Sequence, residues 1–360
     1  AGVIAGSDVD ERIKENTLTV NAQNVAVDKV RNFEKYKFNL NKGVARDASM
    51  LTVADANGFG NGANVQWSDI QLDTAKWNDV KNTDDSSTHY GKSGELTLLK
   101  TSDNNRRLSI HNSKAEALTR TGVSGDFEYK LATDNAAVTT AGGSVSVASV
   151  TATVNRIQNA NAVYDATGRR PADTDHAVRG GYSTYGNTVK DNALRVTNLP
   201  TGGLDAAYGG EVAGLAGEVF GNNLLVTGTN DPASPSVTQT LTNAYGGAIT
   251  NEKNAAGTVT GNSVTLKNGR TSTVYGGYTR GKGAVGGSAD GAGNAVTFEN
   301  GTAGDVYGGA IDNSDSTAAV TGNKVTIQNG TYNRLYGGHT KGKGAVQNNE
   351  VTISGGMSSD

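Results

Sequence analysis

The chain has 360 residues, of which 32 are basic and 35 acidic, for a net charge of −3. Its 49 glycines are about twice the usual share, and only 35 % of its residues are hydrophobic. So little apolar material argues against a compact α/β enzyme and favours an elongated protein with a thin core. The balanced charge excludes a general basic field for nucleic acid. There is no apolar run of about 18 residues, which excludes a membrane-spanning helix, and the absence of Cys excludes disulfides and thiolate chemistry.

Residues 1–177 contain short runs in which apolar and polar side chains alternate, without a tandem repeat. Such runs, separated by Asp, Asn, Gly and Ser, are typical of β-strands. They are Leu18–Val20, Val25–Val27, Tyr36–Leu40, Met50–Val53, Leu96–Leu99 and Val145–Val150. We interpret this part as irregular coils of a β-solenoid with loop insertions.

Residues 178–360 are built from tandem repeats of about 30 residues, a period typical of solenoids. The tripeptide Tyr-Gly-Gly begins at Tyr208, Tyr245, Tyr275, Tyr307 and Tyr336. Between these tripeptides, Asn-x-Val-Thr segments begin at Asn262, Asn294, Asn323 and Asn349. Each of the first three Asn residues lies 13 residues before the next Tyr, whereas the return connection varies in length. One connection of each repeat is therefore fixed and the other is a variable loop, and Pro232 and Pro235 predict such a loop at 228–240.

Two kinds of repeat alternate along this part of the chain. Residues 261–285 match residues 322–346 at an offset of 61, with 15 identities in 25 positions. The intervening repeats instead carry Tyr-Gly-Gly-Ala-Ile, beginning at Tyr245 and Tyr307. Any feature that is specific to one kind of repeat should therefore recur on every second coil.

This pattern predicts an all-β fold, an elongated right-handed parallel β-helix (β-solenoid), because short strands close a core only when coils stack. One continuous solenoid is favoured over two domains. The side chains predicted to point inward are Val264, Leu266, Val296, Phe298, Val325, Ile327, Val351 and Ile353. A ladder of Thr265, Thr297, Thr326 and Thr352 should point outward, and the four repeat asparagines should form an internal ladder of hydrogen bonds. The paired glycines predict either positive φ or close approach to another coil.

The same residues resemble the passenger repeats of bacterial autotransporter adhesins. The resemblance rests on Val-Tyr-Gly-Gly and Asn-x-Val-Thr-Ile in residues 178–356, and on Asn32–Leu40 followed by Met50–Val53. It implies export to the bacterial cell surface and a passenger that normally precedes a C-terminal outer-membrane β-barrel. The next Tyr-Gly-Gly would begin near position 362, so we expect a piece of a longer passenger that does not itself insert into a membrane.

Catalytic and metal sites have little support in the sequence. The four histidines, His89, His111, His176 and His339, are scattered, and no nucleophile elbow or phosphate-binding loop is present. Asp312 and Asp315 lack the continuation of a calcium-binding loop and would form at most a weak surface site. Aspartates cluster at 69–85 and 165–175 without a recurring acid pair on a strand face. We therefore expect no catalytic residue, metal or cofactor.

The best candidate for binding is a pair of matching segments from the two equivalent repeats. The candidate residues are Tyr278, Arg280 and Lys282 in one segment and His339, Lys341 and Lys343 in the other. Two coils apart, these segments should lie about 10 Å from each other on one face. They would form a basic stripe with an aromatic root, suited to an acidic glycan or a protein carboxylate. The alternative is that the stripe is merely solvated, or pairs with Asp312 and Asp315 on the coil between.

The sequence thus predicts a non-catalytic surface adhesin. Its partner would be a host surface protein or glycan, or the same protein on a neighbouring cell. The alternatives are a passive stalk that projects another domain and a polysaccharide-degrading β-helix enzyme.

Overall fold

The computed structural model describes most of the chain and confirms the all-β fold and the parallel β-solenoid. The described residues are 3–5, 16–41, 48–54, 65–75, 92–103, 108–112, 117–135, 143–165, 176–199, 202–227, 240–251, 255–287 and 292–358. The loop predicted around Pro232 and Pro235 lies outside them. The chain divides into two compact units, one of residues 1–79 and 94–154 and the other of residues 80–93 and 155–360.

The first unit contains short sheets and one 3-10 turn, Trp67–Asp69. A six-stranded sheet contains Val25–Val27, Leu51–Val53, Lys92–Thr101, Ser149–Arg156, Phe127–Thr133 and Thr119–Ser124. Two three-stranded sheets contain Thr17–Val20, Lys35–Asn39 and Ile70–Asp73, and Val65–Gln66, Leu108–Asn112 and Gly143–Val147. Val3–Ala5 pairs with Lys29–Arg31. The predicted strands of this part are confirmed, with a break at Ala148.

Antiparallel strand pairs interrupt the parallel arrangement of the first unit, which the sequence pattern did not predict. Thr119–Ser124 pairs with Phe127–Thr133 in an antiparallel hairpin whose two turn residues are Gly125 and Asp126. Gly125 has a φ of 55°, which a two-residue hairpin turn requires and glycine adopts readily. Leu108–Asn112 is likewise antiparallel to Gly143–Val147.

The second unit stacks three parallel sheets, so that each coil contributes one strand to each sheet. The Val-Thr sheet contains Asn161–Asp165, Ala193–Asn198, Asn223–Thr227, Ser263–Asn268, Ala295–Phe298, Lys324–Ile327 and Glu350–Ile353. The tyrosine sheet contains Ala177–Ser183, Leu204–Val212, Leu241–Ile249, Arg270–Thr279, Thr302–Ile311, Thr331–Thr340 and Met357–Ser358. The short sheet contains Val189–Lys190, Val219–Phe220, Val259–Thr260, Val285–Gly286, Val320–Thr321 and Val346–Gln347.

The predicted inward column of the Val-Thr sheet is confirmed. Its first six members are at most 1 % exposed and pack in one continuous cluster with inward residues of the tyrosine sheet. Val351 and Ile353 stay in register with Val325 and Ile327, but they are 40 % and 54 % exposed because no described strand covers them. The alternating threonines stand in register on the opposite face. Strand periodicity therefore separates the core from the surface on every coil.

The asparagine ladder is also confirmed and extends further than predicted. Asn192 and Asn222 precede the four repeat asparagines in it. Each of the first five donates from Nδ2 to Oδ1 of the next at 2.8–3.0 Å. Asn192 also donates from Nδ2 to the backbone carbonyl of Ile157. The next four donate in the same way to backbone carbonyls of the short sheet. Because the ladder satisfies buried amides and carbonyls at every corner, it fixes the register of one coil on the next.

The paired glycines are required by close approach rather than by positive φ. A Cβ atom at Gly276 would lie 2.5 Å from the carbonyl oxygen of Gly308 on the next coil. A Cβ atom at Gly277 would lie 2.4 Å from the side chain of Asn294. The second glycine of the Gly-Gly motif therefore packs directly against an asparagine of the ladder, and a larger residue would not fit there.

Candidate functional site

The repeat tyrosines form a continuous stack on the outer face of the tyrosine sheet. Val274 before Tyr275 is fully buried, whereas Tyr275 points away from that core and packs in a separate cluster. The rings of Tyr208, Tyr245, Tyr275, Tyr307 and Tyr336 follow one another at centroid distances of 4.7, 5.1, 5.0 and 4.7 Å, with interplanar angles of 5–10°. Stacked neighbours cover the faces of the inner rings, so those rings present their edges outward.

Two further rings lean against the side of this stack. Tyr278 packs at an angle of about 55° on the rings of its own coil and the preceding one, Tyr275 and Tyr245, at 4.8 and 5.3 Å. His339 packs in the same way on Tyr336 and Tyr307, at 5.6 Å from each. The alternation of repeat types thus places one leaning ring on every second coil in this region.

The coil between them carries Ala310 in place of a ring. Ala310 is in register with Tyr278 on one side and His339 on the other. The missing ring leaves a cavity of about 140 Å³ beside the stack, which we call the notch. The notch is lined by Tyr275, Tyr278, Tyr307, Ala310, Ile311, Asp312, His339 and Lys341. Its position is that of one absent aromatic ring.

A polar group closes one side of the notch. The Tyr278 hydroxyl donates to Oδ2 of Asp312 at 3.1 Å, and Lys341 Nζ lies 2.6 Å from Oδ1. Each carboxylate oxygen keeps a second acceptor position, and the Lys341 ammonium keeps two further N–H groups. The notch therefore combines aromatic walls with donors and acceptors whose charges compensate each other.

The protonation states of Asp312 and Tyr278 are set by their surroundings. Partial burial acts to raise the pKa of Asp312, but hydrogen bonds from Lys341 and Tyr278 outweigh burial and hold the pKa below its ordinary value. Burial, followed by the nearby carboxylate of Asp312, raises the pKa of Tyr278 far above its ordinary value. At neutral pH the carboxylate is charged and the phenol remains a donor.

The structure gives the predicted site residues different surroundings. Arg280, Lys282, Lys341 and Lys343 are exposed, His339 is half-buried, and Tyr278 is only 8 % exposed. The segments are in register two coils apart, as predicted. The alternative was that the basic residues pair with aspartates of the coil between them. It is confirmed for Lys341, which forms an ion pair with Asp312. Tyr278 serves as a wall of the notch and as part of the aromatic cluster.

The other end of the tyrosine stack is closed by a buried charge. Arg179 stands in register with Tyr208, and its guanidinium lies 5.4 Å from that ring and 5.0 Å from Tyr182. The guanidinium forms an ion pair with Glu211, which also accepts a hydrogen bond from Thr250 at 2.7 Å. The sequence has Arg179-Gly180-Gly181 on this coil, where the later repeats have Tyr-Gly-Gly. In the fold this cation covers the first ring of the stack.

The stack predicts a steep loss of stability in alkali. Burial, then neighbouring tyrosines and carboxylates, raise the pKa values of Tyr245 and Tyr275 well above the ordinary 10.0. Unfolded tyrosines lose their protons near that value while the folded ones keep theirs. The folded state then binds more protons, so the free energy of unfolding must fall as pH rises above about 10. Chemical denaturation between pH 8 and about 12 should show this fall, and Tyr275→Phe should reduce its slope; a flat profile would contradict the buried stack.

Sequence reasoning missed Ala310, Tyr275 and Tyr307 as members of the site. A usable signal was present, because Tyr-Gly-Gly keeps a constant register and, from Tyr245 to Tyr336, the third residue after each Tyr alternates between Ala and a ring. Among the described residues no three His, Cys, Asp or Glu side chains lie close enough to share a metal ion. Most of the acidic clusters, at 76–85 and 166–175, lies outside the described residues.

A scan against protein-family models, a search of curated proteins and a search of solved structures each gave no match. In the part of the chain that the structure describes, no helix is long and apolar enough to cross a membrane.

Proposed function

We propose that this chain is a non-catalytic adhesin segment of the autotransporter type, exposed at a bacterial cell surface, that attaches to carbohydrate. The observation that carries the proposal is the notch between Tyr278 and His339, which has the size of one ring. A pyranose combines an apolar ring surface with hydroxyls. It can therefore pack against aromatic walls while its hydroxyls bond to Asp312 and Lys341.

The polar side of the notch favours a sugar over an aromatic side chain of a protein partner. A phenyl group inserted here would cover Asp312 and Lys341 without replacing their bonds to water, which is costly for charged groups. Sugar hydroxyls can occupy the acceptor positions on the carboxylate and take the spare ammonium hydrogens.

Hydrolysis of that sugar has less support than binding. Glycoside hydrolases commonly place two carboxyl groups across the scissile bond. One carboxylate, Asp312, lines the notch, and Lys341 and Tyr278 hold it as a charged acceptor rather than as an acid. We therefore assign the site to attachment.

The test fills the notch with a tyrosine, the residue that occupies the equivalent position on the preceding coil. Ala310→Tyr should place a ring on Tyr275 and Tyr307 in the same way that Tyr278 packs one coil earlier. We expect the wild-type chain to bind on a glycan array and Ala310→Tyr to lose at least about tenfold in affinity, a change of about 1.4 kcal/mol. Thr326→Tyr, on the outer face of the Val-Thr sheet, is the matched control and should bind like wild type.

Two outcomes would overturn the proposal. If the wild-type chain bound no glycan, that result would favour the alternative function of a passive stalk. If Ala310→Tyr, folded by circular dichroism, bound as tightly as wild type, the notch would not be the attachment site.

A further inference from the structure

The surroundings of the notch suggest how a longer ligand would lie. The notch opens onto the row of tyrosine edges, in which one ring follows another every 4.7–5.1 Å from Tyr208 to Tyr336. Tyr245, Tyr275, Tyr307 and Tyr336 are each partly exposed. This row runs across the strands, and therefore along the direction in which coils stack, because the rings belong to successive parallel strands in register.

Charge-compensated pairs border the row on both sides. On the notch side lie Asp312 and Lys341. On the opposite side Arg334 donates from Nε and Nη2 to the two carboxylate oxygens of Asp305, at 2.8 and 2.5 Å. In each pair the acid belongs to the coil of Tyr307 and the base to the coil of Tyr336. The two coils thus present hydrogen-bonding groups to both edges of a ligand without a large net charge.

We infer that the natural ligand is a linear, neutral β-1,4-linked glycan that lies along the tyrosine row, with one sugar in the notch. This inference rests on the proposed function and narrows its substrate class. In an extended β-1,4-linked chain each hexose has nearly the length of one strand spacing, and successive sugars turn over, so that the chain repeats every second unit. The solenoid has two matching spacings. One tyrosine recurs on every coil, and the alternation between a ring and Ala recurs every two coils, about 10 Å.

An α-1,4-linked glucan curls into a helix and would leave the row after one or two units. A polyuronate of the same β-1,4 linkage would bring a carboxylate to each coil, beside Asp305 and Asp312. Because both carboxylates lie at the border of the row, repulsion would offset what Lys341 and Arg334 contribute. Linkage and charge should therefore both decide affinity.

Isothermal titration of the full chain tests this with four soluble probes: cellohexaose, cellobiose, maltohexaose and the hexamer of β-1,4-mannuronate. We expect cellohexaose to bind at least about tenfold more tightly than each of the other three. Arg334→Gln should weaken cellohexaose more than cellobiose, because Arg334 borders the row outside the notch. Ala310→Tyr should weaken both.

The outcomes separate the two proposals. Equal affinity for cellobiose and cellohexaose, with both lost in Ala310→Tyr, would overturn the extended mode and leave the attachment site in place. Tighter binding of maltohexaose or of the mannuronate hexamer would also overturn it. If the chain bound none of the four probes and no glycan on the array, both proposals would be overturned.

Discussion

Val325→Asp should be among the most damaging single changes in the second unit, lowering the free energy of unfolding by about 4 kcal/mol or more. Val325 is fully buried and lies in register between Val296 and Val351. An aspartate there would place an unpaired carboxylate in the continuous apolar column. It would also remove the valine from its packing against both neighbouring coils.

The neighbouring residue supplies the control. Thr326 is on the outward face of the same strand, in register with Thr297 and Thr352. Thr326→Asp should cost less than about 1 kcal/mol, since water solvates the new carboxylate. Urea denaturation of both variants measures the difference. If Thr326→Asp were the more damaging, the inward and outward assignments would be exchanged.

Asn294→Ala should cost about 3 kcal/mol or more, although it removes only a small polar side chain. Asn294 accepts from the backbone N–H and Nδ2 of Asn262, and it donates to Asn323 and to the carbonyl of Val259. The change therefore leaves several buried donors and acceptors without partners at once. A shortened side chain also leaves space beside Gly277 that the coil cannot fill.

Asn300→Ala is the matched control on the same coil. Asn300 is exposed, and its side chain donates to Asn268 at 3.0 Å. Its removal should cost less than about 1 kcal/mol. Hydrogen exchange would locate the effect: in Asn294→Ala we expect faster exchange in the coils that contain Asn262 and Asn323. Equal stabilities of the two variants would refute a structural role for the internal ladder.

The core and the ladder could be predicted because both follow from spacing along one strand. In Val325-Thr326-Ile327, the period of two decides which side chains are buried, whatever the neighbouring coil contains. Asn323 precedes that strand at a fixed distance, so its position was also determined. Asn192 and Asn222 were missed because Leu194-Arg195 and Leu224-Leu225 stand where the later repeats have Val-Thr, which hid the motif although the corner is the same.

The notch could not be predicted in the same way, because it is formed by a side chain that is absent. Ala310 has no chemistry of its own. Ala310 forms a notch because the flanking coils carry the rings of Tyr278 and His339 at the same position and the tyrosine stack lies beneath them. The antiparallel hairpin at 119–133 was missed for a different reason. Gly125-Asp126 is a hairpin turn signal, but the expectation of parallel coils took precedence over it.

For the predicted basic stripe, the sequence left open whether its cations are solvated or pair with Asp312 and Asp315. Sequence alone placed Arg280 and Lys341 on one face, but it could not decide whether Asp312 would point into the same space. Asp312 forms an ion pair with Lys341, so the coil between the two segments compensates that cation. The expected ligand accordingly changes from an acidic glycan to a neutral one.

The claim that carbohydrate binds beside the tyrosine stack is tested most directly by nuclear magnetic resonance of the chain with isotope-labelled tyrosine. Single Tyr→Phe variants would assign the signals, and cellohexaose would be titrated into the wild-type chain. We predict that the ring signals of Tyr275, Tyr278 and Tyr307 shift in proportion to occupancy, and that Ala310→Tyr abolishes these shifts. Saturable binding that left these three signals unchanged would contradict the account.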